Sequence, residues 1–279
     1  MHFAGATGWI AVSGAEPLFE RLALLAPDWP RAERGVSTPA SRIHASMTGG
    51  LWRFETEGEW SADQVFLGDG PASFGLLGAL QGTFVMQDAG LACLHAAAVD
   101  SAAGLLVLVG DSNAGKSTLS VALTALGRQY AGDDRLVIRL GGRPEGVSQA
   151  LSPKLRLPLP PDAPRQFRSF VDERTAGRDE AMALALLRLR PGEMLSFGEA
   201  RPLAALVLLD RRDSGEDPPD LVETSRPEVL DALLEGGFAP RLKAAERLKA
   251  FHGLSALPRY RLGFASSFAA ARLLSDRFP

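Results

Sequence analysis

The chain predicts an α/β fold in which a large domain over residues 89–279 follows a small α/β module over residues 1–88, and three observations carry that reading. Leu105 to Val109 is a short, unbroken apolar run of the kind a buried strand makes. It leads directly into Gly110-Asp111-Ser112-Asn113-Ala114-Gly115-Lys116-Ser117, which satisfies G-x-x-x-x-G-K-[ST] at every fixed position. Thr118 to Leu126 then sets Leu119, Val121, Ala122, Leu123 and Leu126 at helical spacing, with Gly127 where a C-cap is expected. Strand, glycine-rich turn and helix, in that order, are the context a P-loop requires.

Gly110 and Gly115 permit backbone angles that side chains disfavour, so successive N–H groups can curl around phosphate oxygens. The helix starting near Lys116 adds its positive end to the same place. Residues Gly110 through Thr118 are therefore the expected nucleotide-binding set, with Lys116 bridging the outer phosphates and the Ser117 hydroxyl on Mg²⁺.

Composition sets the outer limits. A chain of 279 residues with 46% hydrophobic content builds a real core. A net charge of −3 and a pI near 5.9 supply no general field for nucleic acid or an anionic membrane, so neither is expected as a partner. The single cysteine, Cys93, rules out an internal disulfide, and its apolar neighbourhood LACLHAAAV reads as that of a buried small hydrophobe. No apolar run is long enough to span a bilayer and the N-terminus lacks a signal pattern, so a cytoplasmic location is expected. Lysine occurs only at 116, 154, 243 and 249 among many arginines, which makes Lys116 conspicuous.

Taken in order, Pro17 to Leu25 reads as a helix, and Arg42–Met47 and Leu51–Glu57 as strands joined by Thr48-Gly49-Gly50. Gln64 to Leu67 is a short third strand and Phe74 to Phe84 a helix. Trp9, Trp29, Trp52 and Trp60 read as core packing rather than a ligand surface. Leu91 to Val99 is expected as one strand, the P-loop unit follows, and Leu136 to Leu140 is another strand. After the proline-rich stretch Ser152 to Pro161, the arginine-dense segment 162–178 is expected as a mobile, partly helical excursion. Leu203 to Leu209 is a buried strand ending at Asp210, Pro227–Leu234 and Pro240–Phe251 are helices, Tyr260–Phe264 is a strand and Ser267–Leu274 a closing helix.

A P-loop alone leaves the fate of the terminal phosphate open. Asp133-Asp134 follows a short strand 16 residues beyond Ser117, close to the loop in a parallel sheet. One carboxylate can hold Mg²⁺ while the other accepts a proton from an attacking hydroxyl. Asp210, closing the LVLLD run, has the form of a second Mg²⁺ ligand, although apolar strands ending in Asp are common. His95, alone in an apolar strand, reads from its surroundings as a hydrogen-bonded core residue.

LHAAAVD, the fifteen-residue spacing from His95 to Gly110, GDSNAGKS and YAGDDRLVI together resemble the C-terminal domain of HPr kinase/phosphorylase over residues 94–139. The resemblance implies the fold type shared by HPr kinase and phosphoenolpyruvate carboxykinase, with ATP and Mg²⁺ as cofactors. It implies that Lys116 and Ser117 bind phosphate and Mg²⁺, that His95 lies in the active site, that Asp134 is the base and Asp133 a metal ligand. Two positions depart from that family: Lys154-Leu155-Arg156-Leu157 has lysine where it has a glutamate that assists the metal, and Thr118 stands where it has glutamate. The chain is more similar to shorter HPr-kinase-like proteins, some of which phosphorylate serine on precursor peptides of lasso-type natural products. The expectation is an ATP-dependent kinase acting on serine of a peptide or small protein; the alternatives are a kinase of a free amino acid or sugar and a nucleotide-gated regulatory ATPase. A homo-oligomer is compatible with the resemblance, but no interface can be traced in the sequence.

Overall fold

The computed structural model describes residues 1–33, 38–56, 64–212 and 217–279; the strand end expected at Glu57, and Trp60, lie outside them. The first module is a six-stranded sheet of β1 (His2–Ala4), β2 (Trp9–Ser13), β3 (Arg31–Ala32), β4 (Ser41–Thr48), β5 (Leu51–Thr56) and β6 (Val65–Leu67) in the order β3-β1-β2-β4-β5-β6. α1 (Phe19–Leu25) and α2 (Asp69–Met86) pack against it and each other. The β4–β5 hairpin sets Thr48 opposite Leu51 across Gly49 and Gly50, both at positive φ (60° and 80°), as a tight hairpin turn demands. Trp29 and Trp52 are core residues whose indole N–H groups donate to Ala4 O at 2.8 Å and Asp69 Oδ1 at 2.9 Å, while Trp9 is half-buried. Neither buried tryptophan is available to a ligand.

The larger sheet begins with β7 (Leu91–Leu94), β8 (Ala96–Ser101) and β9 (Gly104–Val109), followed by α3 (Lys116–Ala125), β10 (Tyr130–Gly132), β11 (Leu136–Arg139) and β12 (Glu145–Val147). Next come β13 (Lys154–Arg156), α4 (Arg165–Arg174), β14 (Thr175–Asp179), β15 (Leu184–Leu187) and the long β16 (Ala200–Arg211). β17 (Asp220–Glu223), α5 (Arg226–Gly236), β18 (Gly237–Phe238), α6 (Ala244–Leu254), β19 (Arg259–Phe264) and α7 (Ser267–Arg277) complete the chain. The order β10-β8-β9-β16-β12-β11-β7-β18 forms ten strands with β19 on β16 and β17 beyond it; β13-β15-β14 is a separate antiparallel sheet. β9 runs parallel to β16, and β16 parallel to β19.

Two expectations need correction, and a third gains its bounds. The apolar run 91–99 is two strands, because the His95 N–H leaves the ladder to donate to Gly236 O at 2.7 Å. β7 then pairs with β11 and β18, whereas β8 pairs with β9 and β10. The acidic turn's strand, β10, is antiparallel to β8 rather than a parallel neighbour of β9. Segment 162–178 is partly helical, as expected: α4 covers Arg165–Arg174, is anchored by buried Phe167 and Val171, and runs directly into β14.

β9 and its neighbours are buried on both faces. Leu106, Leu108 and Val207 face α3, α4 and α7 with Leu119, Phe167 and Phe268; Leu105, Val107 and Leu206 face the opposite side with Val229, Leu233 and Phe251. Each such side chain contributes about 1.5–3 kcal/mol of burial, which fixes β9 and the start of α3 rigidly. The N-terminal core continues into Leu91, Cys93, Val137, Val147 and Leu186. Burial pushes the Cys93 thiol up to about 12, as expected of an inert packed residue. Among the described residues no helix is long and apolar enough to cross a membrane.

Candidate active site

The loop between β9 and α3 turns back because Gly115 takes a left-handed conformation at φ 95° and Asn113 does so at φ 72°. Gly115 is also the N-cap of α3, so no side chain satisfies the first N–H groups of that helix, and its first turn holds no acidic residue. Those donors are the free positive end of a helix, where an anion binds. Lys116 is 5% exposed, and its ammonium folds back to donate to Gly110 O at 2.6 Å and Asp111 O at 2.9 Å. Burial lowers its pKa, against the raising influence of Asp133, Asp134 and Asp111.

The acidic turn stands beside this loop. The two carboxylates have opposite environments, and Asp134 takes a left-handed φ of 63°. Asp133 is 6% exposed; its Oδ1 accepts the Asp134 N–H at 2.8 Å, and its Oδ2 is buried without a hydrogen-bond partner. Burial, then the Asp134 charge, raises its pKa to about 6, against the lowering pull of Ser117 and Lys154. Asp134 is ion-paired with Lys154. Burial alone would raise it, but Lys154, His95 and Lys116 outweigh burial and hold it below the ordinary carboxylate value. His95 Nδ1 lies 3.0 Å from Asp134 O, and its Nε2 is buried without a partner. The turn is pinned from behind by Arg135, whose Nη1 donates to Gly78 O of α2 at 3.1 Å.

Loop and turn form one side of a half-open cavity of about 560 Å³. Of the residues singled out from the sequence, His95, Ser112, Asn113, Gly115, Lys116, Ser117, Thr118 and Asp134 line it, while Gly110, Asp111 and Ala114 form the loop behind and Asp133 is buried next to it. The far side comes from Lys154 and Arg156 of β13, Met182, Leu184 of β15, and Phe74 of α2. Arg211 of β16 also lines the cavity, and the expected Mg²⁺ ligand Asp210 does not. Strand alternation explains the exchange. Ala205, Val207, Leu209 and Arg211 share the face toward α3, and Asp210 points away, 3.7 Å from Arg261. Four cationic side chains (Lys116, Lys154, Arg156, Arg211) and one carboxylate line the cavity, a balance suited to a polyanion.

Among the described residues no group of three or more His, Cys, Asp and Glu side chains converges on a metal site. The Ser117 hydroxyl and the orphaned Asp133 Oδ2 are hard oxygen donors. They fit Mg²⁺ of the kind that takes its remaining ligands from phosphate and water.

No protein-family model matches the chain, and no curated protein matches it. Among solved structures it is similar to the Hpr(Ser) kinase/phosphatase from Coxiella burnetii, at 13% identity and a TM-score of 0.32 over 66% of this chain and 95% of that one. A likeness this distant settles neither family nor chemistry, so the functional reading rests on the site's own geometry.

Proposed function

We propose that this chain is an ATP-dependent kinase that transfers the γ-phosphoryl group to a hydroxyl, that of serine on a peptide or small protein. The observation that carries this reading is a single cationic cleft that has an uncapped helix start with Lys116 and Ser117 on one side and one carboxylate, Asp134, facing in. The loop amides and Lys116 hold the outer phosphates, the ammonium exchanging the Gly110 and Asp111 carbonyls for phosphate oxygens. Mg²⁺, held by Ser117 and Asp133, supplies charge neutralisation when bound. The acceptor oxygen forms its bond to phosphorus as the bond to the β-phosphate oxygen breaks; the acceptor's proton goes to Asp134 and ADP leaves. His95, whose Nε2 has no hydrogen-bond partner, orients the terminal phosphate.

Asp134 is the base on geometry: Asp133 has the higher pKa but is buried next to the cavity, whereas Asp134 lines it. A half-open cleft admits an extended peptide more readily than a site that encloses a metabolite, which favours a polypeptide acceptor. A division at 88/89 makes the N-terminal module an accessory that reaches the cleft through Phe74.

Incubation with γ-labelled ATP, Mg²⁺ and a degenerate serine-peptide library tests this reading. Label on serine in the wild type, at least 100-fold less with an Asp134→Asn variant that still binds nucleotide, is the expected result. Free phosphate released at one rate with or without acceptor would instead mark a regulatory ATPase.

A further inference from the structure

The kinase reading contains a conflict. The carboxylate that faces the acceptor is already engaged, since Asp134 is ion-paired to Lys154. A lysine ammonium on a flexible stem is a mobile point charge. This one is anchored on β13, opposite the glycine-rich loop, and its Nζ lies 5.3 Å from the centre of the Phe74 ring. The pair is incompletely buried, with Lys154 22% and Asp134 43% exposed, so it sits at the cavity surface where an incoming anion meets it. Asp134 is also flanked by Lys116, the residue that marks where the outer phosphates lie, so a phosphate gripped by Lys116 arrives within the surroundings of the Lys154–Asp134 pair. A terminal phosphate carries more charge and more acceptor oxygens than one carboxylate, and charge-assisted hydrogen bonds to phosphate are among the strongest available.

We propose that Lys154 is a γ-phosphate sensor that exchanges partners: it holds Asp134 in the nucleotide-free and diphosphate-bound cleft and moves to the terminal phosphate when a triphosphate binds, leaving Asp134 free for the acceptor hydroxyl. The proposal rests on the kinase reading and adds a discrimination between tri- and diphosphate that the glycine-rich loop alone does not supply. Phe74 limits the travel of the ammonium by offering it an aromatic face near both partners. Arg156, two residues further on the same strand, also lines the cavity, but no hydrogen bond or ion pair of its side chain is present among the described residues.

The test is the ratio of affinities for a non-hydrolysable ATP analogue and for ADP, each with Mg²⁺, by calorimetry. The wild type is expected to prefer the analogue roughly tenfold, the scale of one charged hydrogen bond. Lys154→Met should abolish that preference with ADP binding unchanged, and Lys154→Arg should restore part of it. Loss of preference through bare repulsion from Asp134 is separated by the double variant Lys154→Met/Asp134→Asn. If the contact to phosphate is real the double variant still shows no preference, whereas a restored preference overturns the proposal. Equal weakening toward both nucleotides also overturns it. A wild type that binds neither nucleotide defeats the kinase reading itself, and one that binds both equally defeats only the sensor.

Discussion

The two walls of the cleft are built on different principles. The first wall, β9 with its loop and α3, is one continuous stretch of chain in which each residue's role follows from its neighbours: apolar strand, glycines at the bends, helix with an uncapped start. The second wall is an assembly. β13 brings Lys154 and Arg156, β15 brings Leu184, α2 brings Phe74 from the N-terminal module, and β16 brings Arg211. The first wall is suited to gripping phosphates. The second supplies charge and shape, and under the proposed function it is the wall that the acceptor meets.

Loosening the core beneath the two walls gives the largest expected effect. Phe167 is 4% exposed and its ring centre lies 4.8 Å from that of Phe268, so α4 is fastened to α7 beneath the strand that continues from it. Phe167→Ala should cost about 3–5 kcal/mol of stability, measured by chemical denaturation. Because Phe167 shares its core with Leu106, Leu108 and Leu119 of the first wall, the surviving folded protein should also lose affinity for nucleotide; an unchanged affinity would show that the loop holds its shape without that packing.

The difference is sharpened at the acidic turn, which joins the walls. Asp133 has a folded-state pKa of about 6 against an ordinary 3.8, so the folded protein holds that proton more tightly than the unfolded chain. The stability it contributes is fully present below pH 3.8 and is lost as pH rises through about 6. Asp133→Asn retains an acceptor for the Asp134 N–H and removes the buried charge. It should stabilise the metal-free protein at pH 8 by on the order of 3 kcal/mol, with the gain fading toward pH 4. Thermal melts in chelator at the two ends of that range check this; an equal gain at both would show that burial of the charge is not the cause.

How much was legible in the sequence follows the same division. The loop, α3, β16 and the closing helix were readable because local spacing encodes them. The break at His95 was not, since LACLHAAAV is apolar throughout and only the partner strands differ on its two sides. β14 and β15 escaped because a hairpin whose outer strand is charged and glycine-containing has no alternating pattern to show. Arg211 carried a usable signal: counting alternate residues from Val207 and Leu209 places it, and not Asp210, on the α3 face. Lys154 showed only as a departure from a family pattern, and its pairing with Asp134 depends on contacts between segments 20 residues apart.

The central claim is that this cleft grips a nucleotide through the buried ammonium of Lys116, and calorimetric titration of Mg²⁺–ATP into the wild type and Lys116→Ala tests it most directly. One site per chain is expected in the wild type, with binding about 100-fold weaker in the variant, the scale of two charged hydrogen bonds. Affinity that is equal in the two proteins would contradict the account.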